Sequence, residues 1–319
     1  MHSGEVIQLF YPGNRILSVD MGSHTYKYIE AKMKPDIKIL RYGFVEKEQL
    51  FQADKPAREW RKLGCRTRDT ILSYKHQSMI MREFTLTARD SFQFRNKLQE
   101  EIKQYQIDLK DEFDFDCLMQ FVDKDTGLYQ ATTAGISRGV NRDYINKAYC
   151  LGLRPKAVDF QVSAGFRLIN RALEHSEAGS FPYLMLDLGY ESTMVGIADK
   201  DNIFALKTVP AGCRLIAESA SENEYYYDQL SMLCIEMINF YMTRHHKELM
   251  QGIFFGGGSC FPAVSAFLRE QIPLYWNDLN NYIAYLPEIP DDMDLNLYAN
   301  CLGSLYWNDR EQEEWGVEL

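Results

Sequence analysis

Two short acidic turns carry the residues best suited to chemistry. Asp20-Met21-Gly22 runs into Ser23, His24 and Thr25, with Lys27 just beyond, and Asp187-Leu188-Gly189 runs into Tyr190, Glu191, Ser192 and Thr193. The two aspartates stand 167 positions apart. Glycine in such a turn permits positive φ and a close backbone approach, which lets successive N–H groups point at a phosphate. In the first turn Gly22, Ser23 and His24 offer those donors, and Lys27 can reach a terminal phosphate. Gly189, Glu191, Ser192 and Thr193 play the parallel part in the second. Asp20 and Asp187 are suited to hold a hydrated Mg²⁺ bridging phosphate oxygens. One Asp-x-Gly is also an ordinary hairpin turn, so the argument rests on two copies in matched settings.

A third glycine-rich site, Gly256-Gly257-Gly258, follows Ile253-Phe254-Phe255. It lacks the Gly-Lys-Ser/Thr ending of a Walker loop. Two readings stay open: a tight strand-to-helix turn, or backbone approach to a nucleotide at a helix N-terminus. No Ser-His-Asp or Cys-His arrangement is legible. The six histidines show no metal spacing, and His245 and His246, near a helix end, suit the helix dipole.

The elements around these turns follow from hydrophobic periodicity. Strands are predicted at Ile16–Val19, Tyr26–Ala31, Ile37–Phe44, Thr70–Tyr74 and Met79–Leu86. Asp90–Leu109 reads as a helix with Asp90 and Gln93 in a capping box. Phe115–Val122 and Leu128–Ile136 form a hairpin, and Asn141–Leu151 a helix stopped by Gly152. Strand Ala157–Phe160, helix Ser163–Leu173 and a linker at Glu174–Pro182 lead to the strand Tyr183–Leu186, and two further strands close that unit. Asp228–Arg244 is the clearest helix, with an apolar stripe that reads as core. Ile253–Phe255, a helix opened by Pro262, a strand at Pro273–Trp276 and a helix at Leu295–Leu305 follow, and Asp309–Leu319 is an acidic tail. Residues 88–152 contain neither Asp-x-Gly turn and read as a small α+β module inserted into the first half. The expected units are 1–87 continued by 153–181 and 294–319, the insert 88–152, and a second unit 182–293.

Bulk composition narrows the function. The chain has 319 residues, 46% apolar and 25% charged, which indicates about two folded domains and no disorder. A net charge of −10 argues against nucleic acid as a partner. The stretch Lys55–Arg68 runs against that balance, with six basic residues and one acid. It reads as a solvated face or as a patch for an acidic or lipid surface. The seven cysteines show no CxxC spacing, and six of them fall inside or beside apolar segments, which fits buried thiols of a reducing compartment better than disulfides. No apolar run reaches the ~18 residues of a membrane span, and the first 15 residues are too polar for a signal-peptide core. A cytoplasmic protein is expected.

At these residues the chain resembles the actin-like ATPase superfamily and, within it, the PilM group of type IV pilus assembly proteins, with FtsA as a cousin. ILSVDMGSHTYKYIEAK is similar to the first phosphate loop and its strand, and MREFTL to the entry of the inserted subdomain. NRDYINKAYCLGLRPKAVDF is similar to that subdomain's exit, YLMLDLGYESTMVGIADKDNIFALKTVPAG to the second phosphate loop, and GIFFGGGSCFPAVSAFLREQIPLYW to the adenosine loop. The resemblance covers nearly the whole chain in order. It implies an α/β fold, the two-domain actin-like (ribonuclease H-like) ATPase fold with an inserted α+β subdomain in the first half. It implies ATP and Mg²⁺ as ligands, with nucleotide contacts at Asp20, Gly22, Ser23, His24, Lys27, Asp187, Gly189, Ser192, Thr193 and Gly256–Gly258, and metal contacts at Asp20 and Asp187. It implies a scaffold at the inner face of the cell membrane that binds the cytoplasmic N-terminal peptide of a PilN-like membrane protein, near the junction of 88–152 with the first domain, alongside other pilus assembly proteins. An active actin-like ATPase or a polymerising FtsA-type protein is the alternative; the acidic tail NDREQEEWGVEL is unlike the basic amphipathic anchor the latter needs. One departure matters. Only Cys213–Tyr227 separates Gly212 from the long helix, too little for the lobe that holds adenosine in the family, and Ala211-Gly212-Cys213 stands where a Gly-Gly pair is usual. Nucleotide binding is expected to be weakened or absent, with at most weak ATPase activity.

Overall fold

A computed structural model describes residues 14–76, 78–109, 112–123, 126–174, 182–199, 203–218, 223–246, 249–286 and 288–306. The first half opens with strands β1 (Arg15–Met21), β2 (Thr25–Lys32) and β3 (Lys38–Glu46), short helices α1 (Lys47–Phe51) and α2 (Pro56–Lys62), and strand β4 (Asp69–Tyr74). Next come β5 (Ile80–Thr87), α3 (Ser91–Leu109), β6 (Phe113–Asp123), β7 (Leu128–Ser137) and α4 (Arg138–Cys150), then β8 (Arg154–Phe160) and α5 (Gln161–Glu174). The second half contains β9 (Tyr183–Leu188), β10 (Thr193–Ala198), β11 (Ile203–Val209), α6 (Arg214–Glu218), α7 (Asn223–His245), β12 (Gln251–Phe255), α8 (Pro262–Gln271), β13 (Tyr275–Asp278) and α9 (Leu295–Leu305).

The two halves repeat one topology. The first sheet has the order β3-β2-β1-β4-β8 and the second β11-β10-β9-β12-β13. In each, three strands form an antiparallel meander, and the first of them continues into two parallel strands. β1 and β9 are central and covered on both faces, which explains their continuous buried runs Ile16–Met21 and Tyr183–Leu188. Each carries its aspartate as the last residue but one, so both carboxylates are carried to the same edge of their sheets.

Helices α5 and α9 lie against each other between the sheets. At their crossing a side chain on Gly303 would strike the Ala164 carbonyl, and one on Gly165 would meet the Phe255 ring at 2.6 Å. Both glycines are therefore demanded by packing. One core joins Ile16, Val19 and Leu72 of the first sheet to Tyr183, Met185 and Phe255 of the second through these helices. A separate core under α7 and α8 covers the other face of the second sheet.

The third sheet, β5-β7-β6, carries α3 on a small core of Phe84, Phe94, Leu98 and Tyr129. β5 pairs with β7, so this module takes in Ile80–Thr87, ahead of the expected boundary at 88. The capping box of α3 is present: Asp90 Oδ1 accepts from Gln93 N and Gln93 Oε1 accepts from Arg89 N, each at 2.8 Å.

Three expectations change. The last strand lies at Tyr275–Asp278, past Pro273, because proline cannot donate to a ladder and Trp276 packs onto Gly252. The basic stretch Lys55–Arg68 holds α2, whose Trp60 is buried, rather than forming only a solvated face. Helix α7 begins at Asn223, earlier than Asp228, and tightens the already short segment after Gly212. Residues 1–13, the bulk of the Glu174–Pro182 linker, residues 219–222 and the acidic tail lie outside the described residues. No helix among the described residues is long and apolar enough to cross a membrane.

Candidate functional site

The turns β1–β2 and β9–β10 meet across a cavity of about 450 Å³ between the two halves. Asp20, Gly22, Ser23, His24, Lys27, Asp187, Gly189, Ser192 and Gly257 line it, with Glu191 beside them. At its mouth the His24 and Tyr190 rings stack with centroids 4.2 Å apart and planes 17° apart.

Antiparallel register sets the first half of the site. Asp20 lies opposite Lys27, and the hairpin closes Lys27 Nζ onto Asp20 Oδ2 at 3.0 Å. Lys27 is therefore ion-paired with Asp20. Gln161, the first residue of α5, donates from Nε2 to Asp20 Oδ1, so both carboxylate oxygens are engaged. Burial works against the charge on Lys27, but Asp20, and Asp187 behind it, hold its pKa above the ordinary lysine value.

The second hairpin has no equivalent lysine, because Met194 stands opposite Asp187. The cation comes from the other half of the molecule. Lys75, the residue after β4, reaches across the cleft to Asp187 Oδ2 at 3.2 Å and to the Ser192 carbonyl at 3.0 Å. A Cβ on Gly189 would lie 2.4 Å from Lys75 Nζ, so this glycine makes room for the ammonium. The Gly189 N–H donates within its own turn, to the carbonyls of Asp187 and Ser192. The Gly189 and Tyr190 carbonyls accept from Cys213 N and Arg214 N. The second loop is thus hydrogen-bonded to itself and to the start of α6.

The glycine triplet divides by position. Gly256, at φ +94°, sits where a Cβ would be 2.7 Å from Asp187 Oδ1 and from the Leu188 carbonyl, and its N–H donates to the Asn296 carbonyl. Gly258 lies against Leu188. Only Gly257 of the three lines the cavity. Thr193 is buried in β10 and is not part of the lining. The tight-turn reading therefore accounts for Gly256 and Gly258.

Several contributors carried no sequence signal that singled them out. Lys75 is one basic residue after a buried strand, Gln161 starts an apolar helix, Asn300 interrupts the apolar run of α9, and Tyr144 comes from the inserted module. Tyr144 stacks on Tyr74 at 3.9 Å and contributes to the lining. Its pKa is pushed up by burial and by the Asp20 and Glu191 charges. Gln161 Oε1 and Asn300 Oδ1 are buried acceptors without a protein donor.

Mg²⁺ is the metal this fold implies, and the residues do not fit it as arranged. Each aspartate already has its charge matched by a protein ammonium. A hydrated Mg²⁺ needs only one or two carboxylates beside water and phosphate, and the two expected to hold it, Asp20 and Asp187, are both ion-paired.

No protein-family model and no curated protein sequence matches the chain. Solved structures do. A chain of a PilM–PilN type IV pilus biogenesis complex superposes with a TM-score of 0.70 at 16% identity, over 91% of this chain and 97% of that one. Weaker likenesses include the cytoplasmic domain of EpsL of the Vibrio cholerae type II secretion system, at TM-score 0.47, 13% identity and 76% and 82% coverage. The ethanolamine utilization protein EutJ from Carboxydothermus hydrogenoformans matches at 0.48, 11%, and 93% and 91%. With its duplicated β-meander sheets, its facing acidic turns and this superposition, the chain has the actin-like ATPase fold, in the form seen in the PilM–PilN complex.

Proposed function

We propose that this protein is an actin-like scaffold of type IV pilus assembly, held at the inner face of the cell membrane by the cytoplasmic N-terminal peptide of a PilN-like membrane protein. The observation that carries the scaffold reading is the pairing of both cleft aspartates with lysines of the chain itself, Asp20 with Lys27 and Asp187 with Lys75. Two ammonium groups stand where an ATPase would use a metal and phosphates, so closure of the two halves needs no nucleotide. The near full-length likeness to a PilM–PilN complex chain supports the choice of partner. The nucleotide-site residues are then remnants: Gly22, Ser23, His24, Ser192 and Gly257 still border the cavity, and ATP with Mg²⁺ binds weakly or not at all.

The test is calorimetric titration of the purified protein with synthetic N-terminal peptides of PilN-like proteins, with and without Mg·ATP. Peptide binding that is indifferent to ATP, with no heat from millimolar Mg·ATP alone, is the expected result. Micromolar ATP affinity abolished by Asp20→Ala or Asp187→Ala would replace this reading with that of an active actin-like ATPase. Failure of every peptide to bind would remove the pilus assignment.

A further inference from the structure

The edge of the first sheet farthest from the cleft is strongly basic. β1, β4 and β8 run parallel, and their N-terminal ends bring Arg15, Arg68 and Arg154 side by side across three neighbouring strands. The register places Asp69 opposite Arg154, and Arg154 N donates to the Arg68 carbonyl at 2.8 Å. Arg66 joins them because the buried Glu30 carboxylate accepts from the backbone N–H groups of both Arg66 and Thr67 at 3.0 Å, pinning that segment over the strand ends. Together these four arginines border a cavity of about 550 Å³ that also includes Asn14, Thr67 and Asp69.

The charges there are unbalanced. Asp69 is engaged by Arg154 at 3.1 Å and Lys156 at 3.8 Å, and Glu30 lies 4.0 Å from Arg15. Arg66 and Arg68 are exposed and have no acidic partner among the described residues. Their segment runs on directly from α2, where Arg58, Arg61 and Lys62 are also exposed. In a chain of net charge −10, concentrating four guanidinium groups at one sheet edge costs self-repulsion that Asp69 and Glu30 offset only in part. Guanidinium is also the side chain best shaped to bind phosphate oxygens in pairs.

We propose that this arginine edge is a docking surface for an anionic lipid bilayer, taking phosphate headgroups between Arg15, Arg66, Arg68 and Arg154. A bilayer is favoured over one free phosphate because the basic residues extend beyond the cavity onto α2, farther than one small anion can contact. The rest of the chain, acidic overall, is repelled by the same surface, so the contact orients the molecule with its cleft pointing away from the membrane. The surface acts directly on lipid and stands whether or not the pilus peptide binds.

The experiment is co-sedimentation of the full chain with phosphatidylcholine vesicles containing or lacking phosphatidylglycerol, at low and high salt, beside calorimetric titration with inorganic pyrophosphate. The variants are Arg66→Glu/Arg68→Glu, the milder Arg66→Gln/Arg68→Gln, and the charge-matched control Lys103→Glu/Arg142→Glu on α3 and α4. Binding that requires phosphatidylglycerol, falls at least about tenfold in the double Glu variant, falls less in the Gln variant and survives in the control is expected. It should also weaken sharply at high salt. Two results would overturn the proposal: an equal loss in the control, or no vesicle binding, which together with pyrophosphate binding would mark a free-anion pocket. Peptide affinity measured on the Arg66/Arg68 variants, which lie outside the 88–152 module, separates this surface from the pilus reading, since it is expected to be unchanged.

Discussion

Lys75 supplies to Asp187, from 112 residues away and across the cleft, the ammonium that Lys27 supplies to Asp20 from the adjacent strand. The two acidic turns are thus alike in sequence and unlike in how they are neutralised. One pair is internal to a hairpin, and the other ties the two halves of the molecule together.

Removing one partner of that tie exposes its strength. Lys75→Met leaves Asp187 buried and uncompensated and should lower unfolding stability by about 3–5 kcal/mol. Lys75→Met/Asp187→Asn should recover much of that loss. Urea denaturation of the wild type, both single variants and the double variant closes the cycle; additive losses would mean the pair is uncoupled.

The Lys27–Asp20 pair predicts a pH dependence. The folded-state pKa of Lys27 is raised, so its contribution is complete below the unfolded lysine value of about 10.4 and is lost as pH climbs through the higher folded value. The stability gap between wild type and Lys27→Met should hold constant from pH 7 to about 10 and shrink only above that. Chemical denaturation across the alkaline range reads it, and a gap that closes below pH 9 contradicts the assignment.

Adjacent glycines should respond in opposite ways. Gly256→Ala forces a Cβ into Asp187 and Leu188 at positive φ and should cost about 1–3 kcal/mol. Gly257→Ala, with nothing within 4 Å of the added atom, should stay within about 0.5 kcal/mol of wild type, give or take its helix-propensity effect. Melting temperatures of the two variants decide it.

Gly303→Ala tests the crossing that joins the halves. No small rearrangement relieves a Cβ driven onto the Ala164 backbone, so the loss should exceed about 3 kcal/mol or prevent folding. Near-wild-type stability would mean that α5 and α9 lie farther apart.

The sequence by itself determined a good deal. Buried strands such as β1 and β9 read clearly because burial on both faces leaves a continuous apolar run, and α3 because its cap and its stripe agree. The paired Asp-x-Gly turns marked the cleft because a turn is a local event. Boundaries shifted where a neighbour decided them, as with β13 beyond Pro273 and β5 in the small sheet. What the cleft does with its charges was decided only by tertiary structure. Lys27 meets Asp20 through strand register, Lys75 meets Asp187 through the packing of two halves, and Gln161 reaches Asp20 from a helix 141 residues on. The basic stretch Lys55–Arg68 is legible along the chain, but its union with Arg15 and Arg154 is not, since these become neighbours of Arg66 and Arg68 only when three parallel strands align. Electrostatic partnership depends on distance in space, and only sheet pairing and helix packing set that distance for residues this far apart in sequence.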